Sequence, residues 1–156
     1  GKDKNNFAKE NDWMIQRLGH VGLGVTDMER SLAFYRDYIG MTVLMDLDIA
    51  DDRIARVVGI PGAKCRIVHL KLGGTILELF QYSQPAGRNL AANMQQCDKG
   101  LIHLGFEIQD FHRHLEELKK RKVEFLGEPV EFRPNVWVVY FRGPDGEVCE
   151  FRQQPE

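Results

Sequence analysis

Short runs in which apolar and polar residues alternate dominate this chain, and two of them share one outline. "LGHVGLGVTD" (18–27) places Val21, Leu23 and Val25 on one side of an extended segment, with His20, Gly22 and Gly24 on the other. "LIHLGFEIQD" (101–110) does the same with Ile102, Leu104, Phe106 and Ile108 against His103 and Gly105. After each run the apolar period lengthens to that of a helix. Met28, Leu32 and Tyr35 share one face, Thr26 and Glu29 have the spacing of a capping box, and Gly40 ends the segment. The second helix, about 110 to 121, turns Phe111, Leu115 and Leu118 inward and ends in "KKRK", which suits the negative end of the helix dipole.

The remaining alternating runs predict strands at "MTVLMDLD", "CRIVHLKL" and "TILELFQY", then at "KVEFL", "NVWVVYF" and "EVCEF". Gly73 and Gly74, and later Pro144, Asp145 and Gly146, supply hairpin turns. "DDRIARVVG" predicts a helical turn or two, and a helix is expected from about Arg88 to Gln96 in the segment joining the halves. Each half therefore reads as βαβββ.

The two halves are copies. Matching His20 to His103, an offset of 83, also matches Leu18 with Leu101, Gly22 with Gly105, Asp27 with Asp110, Arg30 with Arg113 and Leu32 with Leu115. The last strands match at an offset of 72, Gly74 with Gly146, Glu78 with Glu150 and Gln81 with Gln153. The first copy thus carries about eleven more residues, placed in the stretch 46–64. The expected organisation is an N-terminal extension (1–16), module one (17–82), a linker (83–99) and module two (100–153), the modules forming one domain.

Candidate chemistry lies on the face away from the helices. His20 and His103 point there by alternation, and Glu78 and Glu150 interrupt otherwise apolar strands, where a carboxylate is expensive unless it is paired or binds a metal. Two imidazoles and two carboxylates at repeat-equivalent positions are the ingredients of a metal site. Phe80 and Tyr82 continue the Glu78 face as candidate cavity walls, and Trp137 faces either that wall or the helices. His69 occurs once, with no counterpart in the second module, and reads as structural or as pocket wall. His112 and His114 read as solvated, Cys149 as packing, and Arg66, Arg88 and Arg152 as candidates for neutralising an anionic substrate.

Composition narrows the classes. The chain has 156 residues, 43% of them hydrophobic, and a net charge of −2 with its basic residues interspersed among acids, which argues against nucleic acid as a partner. No apolar run approaches the roughly 20 residues that span a bilayer, so no membrane partner is expected. Three widely spaced cysteines without a CxxC pair suggest a reducing, cytoplasmic setting.

"HVGLGVTD", "FYRDYIGM" and "GPDGEVCEF", in that order and with this ligand set, resemble the vicinal oxygen chelate superfamily of glyoxalases, epimerases, bleomycin resistance proteins and extradiol dioxygenases. The resemblance spans about 17 to 153. It implies an α+β fold in which tandem βαβββ modules form a curled, barrel-like mixed sheet around a metal cleft. His20, Glu78, His103 and Glu150 match the family's ligands to a divalent metal ion (nickel, zinc, cobalt, manganese or iron), a set closest to glyoxalase I. The implied enzyme is a lyase or isomerase acting on a small molecule with vicinal oxygens. Its reaction is proton transfer next to a metal-chelated carbonyl via an enediolate, with Glu150 the first choice of base and Glu78 the second. The alternatives are an extradiol-type iron(II) dioxygenase using His20, His103 and Glu150, against which Glu78 argues, and a drug-binding protein without turnover. Sheet edges left by such modules point to a homodimer.

Overall fold

Strand β1 (Val21–Gly24) opens the first module in a computed structural model that describes residues 13–155. Helix α1 (Met28–Leu32) follows and continues as wider π-helical turns over Ala33–Tyr38. Asp27, rather than Thr26, caps it, its carboxylate accepting from the Arg30 N–H at 3.3 Å. The Thr26 N–H is instead committed to the second module, donating to Asp145 Oδ2 at 2.9 Å. Strand β2 (Thr42–Ile49), helix α2 (Asp52–Val58), β3 (Lys64–Leu72) and β4 (Thr75–Gln84) complete the module. The helix expected in "DDRIARVVG" is therefore present, capped by Asp51 and closed by left-handed Gly59.

The second module comprises β5 (Leu104–Ile108), α3 (Phe111–Lys120), β6 (Val130–Arg133), β7 (Val136–Arg142) and β8 (Val148–Gln153). Phe111, Leu115 and Leu118 are buried as the periodicity predicts. "KVEFL" makes only an isolated bridge, Phe125 to Phe141, and the strand lies later in the chain. Turns stand in the linker where a helix was expected over 88–96, because the Asn89 side chain accepts from the N–H groups of Ala91 and Ala92 and closes a local turn. Gln81 and Gln153, matched in the repeat, do the same task in both modules: their Oε1 atoms accept from Met28 N–H at 2.7 Å and Phe111 N–H at 2.8 Å, satisfying a free donor at each helix start.

The strands form two four-stranded mixed sheets, ordered β1-β4-β3-β2 and β5-β8-β7-β6, with β1 parallel to β4 and β5 parallel to β8. No ladder joins one sheet to the other among the described residues, so the expected curled, barrel-like sheet around a metal cleft is overturned. The physical reason lies in the core. Helices from both modules share a single apolar cluster with one face of each sheet, in which Phe34 meets Phe141 at 6.1 Å and Tyr38 meets Phe151 at 6.4 Å between ring centroids. Burying that shared surface sets how the modules sit, and the short first strands keep unpaired outer edges. A smaller cluster on the other face of the first sheet joins Ile54 of α2 to Ala63, Cys65 and Ile67.

One buried polar contact ties the modules together. The Tyr35 hydroxyl donates to Glu147 Oε1 at 2.7 Å, the Asp145 N–H donates to Oε2 at 2.8 Å, and both side chains are buried. Burial pushes the Glu147 carboxyl above the usual range. Gly146, beside it, has φ of 89° and lies against the linker, where an added Cβ would sit 2.8 Å from the Ala92 Cα. Tyr35→Phe leaves Glu147 Oε1 without its donor and is expected to cost about 1–3 kcal/mol. Thermal unfolding should move down by about 2–4 °C for each kcal/mol lost; an unchanged midpoint would show that the contact contributes nothing.

Among the described residues no helix is long and apolar enough to cross a membrane. Residues 1–12 of the expected N-terminal extension lie outside the described residues, while Trp13, Met14 and Ile15 are exposed.

Candidate functional site

Alternation places the polar residues of β3 and β4 on the face opposite the shared core. Val68, Leu70, Leu77 and Leu79 pack inward, leaving His69 and Glu78 on the other side, directly opposite each other in the ladder. His69 Nε2 contacts Glu78 Oε2 closely, and His20 Nε2 stands 3.6 Å from Glu78 Oε1. The rings of His20 and His69 stack with centroids 6.0 Å apart. The carboxylate therefore sits between two imidazoles, one per oxygen.

The second module repeats the arrangement with a change of residue. Tyr140 on β7 is directly opposite Glu150 on β8, and its hydroxyl donates to Glu150 Oε2. His103 Nε2 lies 3.6 Å from the same oxygen. Burial, and then the bond to Glu150, push the Tyr140 hydroxyl up to about 12, so it remains a donor near neutral pH. Tyr140 is thus the counterpart of His69. A single offset hides this, because His69 and Glu78 are nine residues apart while Tyr140 and Glu150 are ten apart, the second hairpin being one residue longer.

His103 also has a partner in the linker. Its Nδ1 is 2.8 Å from Gln96 Oε1, and the Gln96 amide nitrogen donates to the Ile102 carbonyl at 2.8 Å. With the amide oriented that way, Nδ1–H is the donor to Gln96, and Nε2 is the nitrogen that faces Glu150. Nothing in the sequence around Gln96 signals this role.

The structure brings together His20 with Glu78 and His103 with Glu150. No hydrogen bond or ion pair joins the two pairs, and no group of three or more His, Cys, Asp or Glu side chains is arranged to hold a metal ion among the described residues. The donor chemistry nonetheless fits a borderline divalent ion: each pair offers one imidazole nitrogen and one carboxylate. The fit is to two half-sites.

The other candidates sort by contact. Phe80 and Tyr82 lie parallel, 5.8 Å between centroids, and help line a cavity of about 430 Å³ beside the linker, together with Arg88. Arg66 is taken up by Asp46 and Glu29 at 2.6–2.9 Å. Trp137 faces the helices, stacked on Phe111 at 5.5 Å. His112 is exposed, as expected, whereas His114 is half-buried against Tyr38 and Phe151 between the modules. Cys149 is buried in the shared core with its thiol pushed up to about 12 by burial, so it packs rather than reacts.

The profile of the Glyoxalase/Bleomycin resistance protein/Dioxygenase superfamily matches residues 17–151. The human mitochondrial methylmalonyl-CoA epimerase is 29% identical over 135 residues, covering 85% of this chain and 69% of that protein. A glyoxalase family protein from Bacillus cereus shares the fold with a TM-score of 0.84 at 19% identity, covering 91% of this chain and 96% of that one. Leishmania major glyoxalase I, described as trypanothione-dependent, shares the fold with a TM-score of 0.65 at 22% identity, covering 89% and 87%. Epimerases are the relatives by sequence and glyoxalases share the fold, so the ligand-set likeness to glyoxalase I singles out no one family, while similarity to the epimerases supports catalytic activity. With a profile match across nearly all of the repeat, the chain belongs to the glyoxalase/bleomycin resistance protein/dioxygenase superfamily.

Proposed function

We propose that the protein transfers a proton at a carbon next to a carbonyl, as a divalent-metal-dependent isomerase or lyase. Its first substrate class is a thioester of a 2-substituted malonate, on which the epimerases it resembles act by their names. The observation that carries this reading is the pair of half-sites, each a histidine and a glutamate at repeat-equivalent positions with the glutamate fixed by a cross-strand donor.

His20, Glu78, His103 and Glu150 would hold the ion. When bound, it supplies a Lewis acid that polarises the carbonyl oxygen and makes the adjacent C–H acidic. The chain's own residues do the rest. Glu150 is the first choice to take the proton, kept in place by Tyr140, and Glu78, kept in place by His69, is the second. Inversion at carbon needs removal from one side and return from the other, which two carboxylates on separate modules suit. Bringing the half-sites together is the work proposed for a homodimer: Leu18 and Leu101, equivalent in the repeat and just ahead of the edge strands β1 and β5, are both largely exposed.

The test is exchange. Incubating protein and a methylmalonyl thioester in D₂O should place deuterium at the carbon between the two carbonyl groups at a rate dependent on added divalent metal, with sedimentation reporting the dimer. Exchange no faster than in buffer, on this thioester and on a hemithioacetal, removes the reading. Ring cleavage of a catechol with oxygen consumption would install the dioxygenase instead.

A further inference from the structure

Most arginines whose surroundings are described pair with a carboxylate, among them Arg30, Arg53, Arg66 and Arg121. Arg152 departs from this. It has no carboxylate within 4.0 Å and its buried Nε has no hydrogen-bond partner among the described residues. Its position is specific: on β8 it follows Glu150 by two residues, so both side chains leave the sheet on the same face, roughly 7 Å apart along the strand. Arg152 is opposite Val138 as Glu150 is opposite Tyr140.

A cleft of about 370 Å³ opens over this part of the sheet, lined by Phe132, Arg133, Val138, Tyr140, Glu150 and Arg152. It holds two guanidinium groups, an apolar wall and the candidate base. Tyr140 is already committed to Glu150, which leaves the guanidinium N–H groups of Arg152 as donors free for a ligand. Among the described residues no protein carboxylate neutralises the Arg152 side chain where it lines the cleft, and a planar substrate carboxylate accepting from its terminal N–H groups would do so.

We infer that Arg152, helped by Arg133 at the rim, binds a carboxylate of the substrate beside Glu150, and so selects anionic acyl compounds over neutral ones. The inference rests on the proton-transfer reading above and adds to it the residue that recognises the substrate's free carboxylate. Two glutamates would balance a divalent ion, so a substrate carboxylate adds a negative charge that this set does not offset. The guanidinium of Arg152 offsets it from the same face of β8 as Glu150. An arginine is suited to this, since its fork matches both carboxylate oxygens and stays charged at any working pH.

Malonate is the probe, with neutral dimethyl malonate as control, titrated calorimetrically into wild type, Arg152→Gln and Arg133→Gln, each checked for metal content. Wild type should bind malonate in preference to the diester. Arg152→Gln should weaken malonate roughly tenfold or more, the scale of a lost charge-assisted pair, with metal content unchanged. Arg133→Gln, at an exposed position that leaves the fold intact, should weaken it by a smaller factor. Equal affinity of wild type and Arg152→Gln for malonate overturns the inference, as does equal binding of the diester by wild type. Should Arg152→Gln unfold, the diester comparison and Arg133→Gln decide it. Loss of discrimination in a metal-containing, exchange-active protein counts against Arg152 alone; retained discrimination in a protein without metal counts against the proton-transfer reading and leaves the carboxylate subsite standing.

Discussion

Replacing Glu150 by glutamine is expected to lower turnover by roughly 10² or more, the usual scale of a lost general base, while most of the metal stays bound. Glutamine keeps the length of the side chain and a carbonyl oxygen that can accept from the Tyr140 hydroxyl, so the local hairpin should hold. What it lacks is basicity. On the proposed ligand set, His20, Glu78 and His103 would remain to hold the ion. Glu78→Gln is the internal comparison: Glu78 contacts His69 rather than a phenol, and as second choice of base its loss should reduce turnover less. Steady-state kcat and KM, with elemental analysis of the same samples, read the result. Turnover within a few-fold of wild type in Glu150→Gln would remove Glu150 as the base, and a larger loss in Glu78→Gln would exchange the two roles.

Replacing His103 by alanine should abolish stoichiometric metal and leave a folded protein. The His103 Nδ1–H donates to Gln96 Oε1 at 2.8 Å, which leaves Nε2, the nitrogen facing Glu150, as the proposed ligand atom. Its side chain lies on the face away from the shared apolar cluster, so truncation opens no cavity there. Elemental analysis measures the loss, and circular dichroism with a thermal melt separates it from unfolding. Metal content equal to wild type would mean that the ligand set is misassigned.

The repeat carried much of this in plain view. The order of helices and most strands followed from periodicity, and His20, Glu78, His103 and Glu150 stood out because each breaks an apolar alternation at a matched position. Their in-module pairing, His20 with Glu78 and His103 with Glu150, is a local consequence of parallel ladders between the first and last strands. Tyr140 was hidden for a countable reason: one extra residue in the second hairpin shifts the ladder, and an offset of 72 matches His69 to Phe141 instead. Gln96 was hidden for a different one, since a linker glutamine has no periodicity to betray it and acts only through the fold of its segment.

Residue pattern alone determined what depends on neighbours a few positions apart: strand faces, helix faces, turns, and which polar side chains share a surface. Tertiary structure decided what depends on surfaces far apart in the chain. Whether two amphipathic modules close on each other through strand edges or pack through helices is a contest between backbone pairing and apolar burial. Here Phe34, Tyr35 and Tyr38 against Phe141, Phe151 and Glu147 won it, so the sheets stay separate and each keeps its own histidine and glutamate. Alternation could not foresee that outcome, because both packings bury the same face of every strand.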